Sequence, residues 1–164
     1  MINMKYFLGI DPGFADVGFG IIKSDGRDFN VVDFGAIKTK PKTPFSERLQ
    51  IIKNDLTGIL KSYKFEVVGV EELFFVKNVT NGIKVAHARG VILQTLNEFK
   101  IPLFEMTPKE VKNNICGYGG ADKLQVQEML KRLLNLEEIP KSDDAADALA
   151  IAIITAQISS NQLS

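Results

Sequence analysis

The stretch 5–38, KYFLGIDPGFADVGFGIIKSDGRDFNVVDFGAIK, decides how the rest of the chain is read. Residues 5–11 form a mostly apolar run that ends on an acid, Asp11, and Pro12-Gly13 breaks it. Residues 17–23 read as a second strand. Asp25-Gly26 is a hairpin turn signal, and 28–38 read as a third strand with mixed faces. Three consecutive strands with short links imply an antiparallel meander.

Beyond the meander the period changes. Thr43 is expected to cap a helix with Pro44 at its first position, where a missing N–H costs nothing. Leu49, Ile52, Leu56, Ile59 and Leu60 give that helix, 44–62, an apolar stripe. Residues 66–71 hold Val67-Val68-Gly69-Val70 and end on Glu71, which reads as a buried strand. Val85, Ala88, Ile92 and Leu96 mark a helix over 79–98, and 102–106 read as a short strand. Thr107-Pro108-Lys109-Glu110 is a capping box. Gly117–Gly120 is a flexible break, Asp122 caps a helix over 123–135, and Ser142 opens a last helix. The order β-β-β-α-β-α-β-α-α-α predicts an α/β fold with a mixed sheet and helices on both faces. Right-handed crossovers place strand 66–71 parallel to a strand of the meander.

Composition bounds the chemistry. The 164 residues suit one domain, expected to have an ordered core over about 4–158 and a short C-terminal tail. With 45% hydrophobic and 24% charged residues, disorder and collagen-like repeats are excluded. Cys116 is the only cysteine, so no intrachain disulfide forms. No run approaches a signal peptide or a membrane span, so a cytoplasmic protein without membrane contact is expected. His87 is the only histidine, which disfavours multi-histidine zinc sites and Ser-His-Asp hydrolysis. Carboxylates are left as the tools of any enzyme.

Asp11 and Glu71 each close an apolar strand, and ligands of open α/β sheets bind at the carboxyl ends of strands. Asp11 also fits a turn residue bonded to its own loop. Glu72 stands beside Glu71, and strand alternation does not choose between them. Asp143, Asp144 and Asp147 open the last helix. Acids in a first turn complement the helix dipole, which accounts for Asp143 and Asp144. It accounts poorly for Asp147, set in a second turn between alanines. Asp144 and Asp147 are i and i+3 and share a face. An acid among Ala, Leu and Ile is costly to bury unless paired or metal-bound. Four carboxylates without a histidine partner point to hard divalent cations, Mg²⁺ or Mn²⁺. Pairs of such ions about 3.5–4 Å apart recur in phosphodiester cleavage.

Gly9-Ile10-Asp11-Pro12-Gly13 with Gly18-Phe19-Gly20, Val70-Glu71-Glu72-Leu73-Phe74-Phe75 with Lys77-Asn78, Ala88-Arg89-Gly90, and Asp144-Ala145-Ala146-Asp147-Ala148-Leu149-Ala150 together resemble the RuvC family of crossover (Holliday) junction endodeoxyribonucleases. The resemblance runs from about residue 4 to 157 in the family's order. It implies a ribonuclease H-like fold with a five-stranded mixed sheet. It implies metal-binding and catalytic acids at Asp11, Glu71, Asp144 and Asp147, and it selects Glu71 over Glu72. It puts a junction-contacting phenylalanine at Phe74 and DNA-contacting lysines at Lys112 and Lys123. The activity implied is symmetric nicking of four-way DNA junctions in recombination and repair, with two Mg²⁺ (or Mn²⁺) ions and ligatable 5′-phosphate ends. The partners implied are junction DNA, a second copy of the chain, and the branch-migration proteins RuvA and RuvB. The chain departs from the family's usual pattern at Phe14-Ala15-Asp16, at Val17 and at His87.

Phe74 and Phe75 are adjacent, so one fits a loop anchor and the other a base-stacking surface. Lys109, Lys112 and Lys123 flank the glycine-rich break and suit phosphate contacts. A junction with approximate two-fold symmetry suits a C2 dimer. Ala86, Ala88 and Gly90 make helix 79–98 the candidate interface, and ordinary helix-on-sheet packing also explains them. Other readings are a ribonuclease acting on structured RNA, an ATPase of the sugar-kinase type and an idle junction-binding module. The single-domain length disfavours the ATPase, and the presence of all four acids disfavours the idle module.

A net charge of zero seems wrong for a DNA enzyme. The charges are not evenly spread, however. Residues 77–132 carry nine basic and five acidic side chains, and 133–164 carry one basic and five acidic. A charge-segregated surface with a basic face around the acids is expected.

Overall fold

The computed structural model describes residues 3–72 and 77–162. The elements are β1 (Lys5–Asp11), β2 (Asp16–Ser24), β3 (Phe29–Lys38), α1 (Phe45–Ser62), β4 (Phe65–Glu71), α2 (Val79–Glu98), β5 (Leu103–Met106), α3 (Pro108–Cys116), α4 (Lys123–Leu133) and α5 (Asp143–Gln162). One five-stranded sheet runs in the order β3-β2-β1-β4-β5. β1, β2 and β3 form the antiparallel meander, and β4 and β5 add parallel to it through β1. The expected element order and the expected ribonuclease H-like mixed sheet are both present.

Each face of the sheet has its own core. Leu8 and Ile10 of β1 and Val68 and Val70 of β4 pack with α1 and α2 through Ile52, Leu56, Ala88, Ile92 and Leu96. Phe7 of β1 and Val67 of β4 face the other way, toward α3, α4 and α5. Strand side chains alternate faces, so Phe7, Gly9 and Asp11 share the α5 side, as do Val67, Gly69 and Glu71. This parity makes Glu71, not Glu72, the acid of β4 that faces α5.

α5 is apolar on nearly every side, as a helix sandwiched inside a fold must be. Residues 148–154 are all at most 1% exposed. The helix lies so close to the sheet that side chains beneath it are excluded. A Cβ on Gly9 would sit 2.0 Å from the Ala148 carbonyl oxygen, and one on Gly18 would sit 2.1 Å from that of Asp144. The buried hydroxyl of Thr155 donates to the Ile151 carbonyl at 2.7 Å and so leaves no unpaired polar group in this contact.

The ends of the elements follow local chemistry. In the first hairpin the Asp25 carboxylate accepts from the Arg27 and Asp28 amides, both at 2.9 Å, and Gly26 takes φ +96°. The expected capping box forms at Thr107–Glu110, and the expected Asp122 cap forms as part of a second box with Gln125. The Thr43 cap does not form. Pro44 is itself the N-cap, extended at ψ 139°, and its carbonyl accepts from the Arg48 amide at 3.0 Å. The Thr43 amide is engaged in a turn to the Lys40 carbonyl. α4 stops at Leu133, two residues earlier than its apolar pattern suggests, because Asn135 turns the chain with φ +49°.

Candidate active site

The site is assembled where the C-terminal ends of β1 and β4 meet the first two turns of α5. Ile10 and Val70 are register partners in the parallel pair, so Asp11 and Glu71 leave the sheet side by side. Across the antiparallel pair Asp11 is opposite Gly18. Gly18 is the position against which the Asp144 backbone rests. The missing side chain at 18 therefore lets α5 bring its acids down to Asp11. Asp144 and Asp147, one turn apart, present their carboxyls on the same helix face.

The electrostatics report this convergence. Burial, and then the charges of Glu71, Asp147 and Asp144, push the Asp11 carboxyl up to about 8. Burial and the Asp147 charge push Glu71 up to about 7, against the pull of Lys112. Asp144 is raised by burial and by Asp16 and Asp143, and Asp147 by burial and by Asp144 and Asp143. Lys123 draws down Asp11, Asp144 and Asp147, so its charge reaches the whole group. Four acids held this way favour protons or cations among them. All are oxygen donors, which fits a hard divalent cation. Among the described residues no three His, Cys, Asp or Glu side chains are already drawn together to hold an ion. The set is a convergence of separate oxygens rather than a closed cage.

A cleft of about 260 Å³ opens onto the acids, lined by Glu71, Pro108, Val111, Lys112, Lys123, Val126 and Asp147. Two of the three lysines singled out in the sequence, Lys112 of α3 and Lys123 of α4, therefore border the carboxylates. A second recess beside it is lined by Thr107, Pro108, Lys109, Lys112 and Gly119. Lys123 also pairs with Asp143 at 2.5 Å, and the Gln127 side-chain amide donates to the same carboxylate at 3.2 Å. Asp143 thus tethers the lysine and does not only complement the helix dipole. Phe74 and Phe75 lie outside the described residues. Ala88 is fully buried against the sheet core, whereas Ala86 and Gly90 are exposed on α2.

Sequence reasoning missed the part played by Arg89. Its Nε donates to the Glu71 carbonyl at 3.3 Å, and its Nη2 pairs with Glu105 of β5. The residue was visible only as the middle of Ala88-Arg89-Gly90, and nothing in that triplet points to Glu71.

Comparison with known proteins gives this geometry a family. The profile of the family described as crossover junction endodeoxyribonuclease RuvC matches residues 7–155. The RuvC of Halothermothrix orenii is 49% identical over 146 residues, covering 89% of this chain and 88% of its own. That of Ruminiclostridium cellulolyticum is 46% identical over the same length and shares. A solved structure of T. thermophilus RuvC in complex with a Holliday junction substrate superposes with TM-score 0.90 at 31% identity, covering 96% of both chains. The yeast mitochondrial resolvase Ydc2, at TM-score 0.64 and 16% identity, shares the fold. By sequence and by architecture, the chain belongs to the RuvC family of crossover junction endodeoxyribonucleases.

Proposed function

We propose that this protein resolves four-way DNA junctions by metal-dependent nicking of two strands of like polarity, during recombination and DNA repair. The observation that carries the reading is the meeting of Asp11, Glu71, Asp144 and Asp147 beside a lysine-bordered cleft. Membership of this nuclease family implies metal-dependent catalysis. Two Mg²⁺ ions, with Mn²⁺ as the substitute, suit four oxygen donors. When bound, they supply an activated water and charge stabilisation of the leaving 3′-oxygen.

The residues do the rest. The four carboxylates bind and orient the ions, and at neutral pH Asp11 and Glu71 give up their protons to do so. Lys112 and Lys123 hold phosphates of the bound strand and offset the acids' charge toward the polyanion. Phe74 packs on an unpaired base at the junction centre. Two copies related by a two-fold axis through α2 present matched sites to the two strands. The products carry 5′-phosphates, and the enzyme works in the cytoplasm with RuvA and RuvB. No helix among the described residues is long and apolar enough to cross a membrane.

The test is a substrate panel: a synthetic four-way junction, a linear duplex and a structured RNA, each with Mg²⁺ and with chelator. Paired nicks in the junction alone, abolished by chelator, are expected. Equal cutting of the duplex, or preference for RNA, would overturn the reading.

A further inference from the structure

Among the described residues, one charged side chain is buried without an opposite charge. Arg48 of α1 is 5% exposed. Among the described residues no carboxylate forms an ion pair with it. A buried guanidinium is costly unless its hydrogen bonds and charge are met. Here the partners are all in or beside one short loop. Nε donates to the Thr39 hydroxyl at 2.8 Å, and Nη2 donates to the Phe14 carbonyl at 3.3 Å. The guanidinium lies 4.8 Å from the centre of the Phe14 ring. Thr39 completes the clamp, because its hydroxyl donates to the Phe14 carbonyl and its amide donates to Ala15 at 2.8 Å.

That loop, residues 12–15, is the link from Asp11 at the end of β1 to Asp16 at the start of β2. It is folded tightly on itself: a Cβ on Gly13 would meet the Asp16 carbonyl oxygen at 2.1 Å. Its other end reaches the helical acids, since the Asp16 charge is felt at Asp144. Phe14 is also the hub of a surface cluster. Its ring meets Phe45 edge-on at 6.2 Å, Phe45 meets His87 at 5.8 Å, and the Lys84 ammonium lies 5.4 Å from Phe14. Two of the departures from the usual family pattern, at Phe14 and at His87, thus meet across one aromatic ring.

We propose that Arg48 is a positioning residue: through the Phe14 carbonyl and ring it fixes the loop after Asp11 and so sets the Asp11 carboxylate for metal binding. A strand-to-strand link of four residues transmits a shift at Phe14 directly to Asp11. Displacement of a reacting group by about 1 Å costs on the order of 100-fold in rate. The inference rests on the reading of Asp11 as a metal ligand, and the experiment separates the two.

The experiment compares the full-length wild type with Arg48→Lys, Thr39→Val and Asp11→Asn. Each is assayed for Mn²⁺ affinity by calorimetry, Mg²⁺ half-saturation in single-turnover junction cleavage, junction affinity in chelator, and thermal unfolding. Arg48→Lys keeps the charge but loses the fork that bridges Thr39 and Phe14. It should weaken Mn²⁺ binding and raise the Mg²⁺ half-saturation by about tenfold, with rate recovered at high Mg²⁺ and junction affinity within about twofold of wild type. Thr39→Val is nearly isosteric and should show the same change in smaller measure. Unchanged Mn²⁺ affinity and half-saturation in a folded Arg48→Lys overturns the positioning role, whatever the rate. If Arg48→Lys does not fold, the same values in Thr39→Val decide. Wild-type metal binding and cleavage in Asp11→Asn would instead remove the metal-ligand reading itself.

Discussion

Replacing Asp11 with asparagine should stabilise the metal-free protein while ending cleavage. The carboxyl of Asp11 is raised from 3.8 to about 8 in the fold, first by burial and then by Glu71, Asp147 and Asp144. Between those values the folded protein keeps a proton that the unfolded chain releases. Stability from this group is therefore full below about pH 4 and declines as pH rises toward 8. At pH 7 the accumulated cost is roughly 4 kcal/mol. Asparagine removes the ionisation but brings an amide whose burial costs about 1–3 kcal/mol where unpaired. A net gain of about 1–3 kcal/mol remains, or roughly 2–12 °C in melting temperature for a chain of this size. The assay is thermal and urea unfolding in chelator from pH 5 to 9, beside junction cleavage in Mg²⁺. The wild type should lose stability from pH 5 to about 8 and level off above that, and Asp11→Asn should show a shallower slope. Adding Mg²⁺ should raise the wild-type melting temperature more than that of the variant. An Asp11→Asn protein that is less stable than wild type at pH 8, with the same slope, would refute the reasoning.

Three further outcomes follow from other parts of the site. Gly18→Val should push α5 off the sheet at Asp144, costing about 1–3 kcal/mol or more by overpacking and lowering cleavage with it, read by urea unfolding and single-turnover rates. Lys123→Ala should weaken junction binding and reduce the slope of log affinity against log salt by about one, with the deficit largest at low salt. An unchanged slope would remove Lys123 from the phosphate contacts. Asp122→Ala removes the side-chain half of the capping box that starts α4, the carboxylate that accepts from the Gln125 amide, so it should cost about 0.5–2 kcal/mol in unfolding experiments.

The meander and the parallel strands were legible because their apolar runs are short, punctuated and each ended by a recognisable turn. The acids were legible because Asp147 sits among alanines where a helix-dipole account fails. What the sequence hid was two-dimensional. Glu71 and Glu72 are distinguished only by which strand face meets α5, and that depends on Phe7, Val67 and the glycines beneath the helix. Gly9, Gly18 and Gly69 look like ordinary strand interruptions until a helix is laid across them. Arg48 looks like a surface arginine between Glu47 and Leu49, because its partners Phe14 and Thr39 are distant in sequence. Asp143 reads as a helix-start acid, and its tether to Lys123 needs the fold to bring α4 against α5. Thr43 does not cap because the helix begins one residue later, with Pro44 itself at the N-cap position and its carbonyl accepting from Arg48.

The central claim is that the acids on the α5 face of the sheet carry cleavage. The neighbouring glutamates at the end of β4, Glu71 within it and Glu72 just after it, test it most directly, since they differ in position by one residue. Single-turnover cleavage of a four-way junction in Mg²⁺, with binding measured in parallel in chelator, should find Glu71→Gln inactive yet bound as tightly as wild type. Glu72→Gln should cleave at close to the wild-type rate. An active Glu71→Gln, or an inactive Glu72→Gln that still folds and binds, would contradict the account.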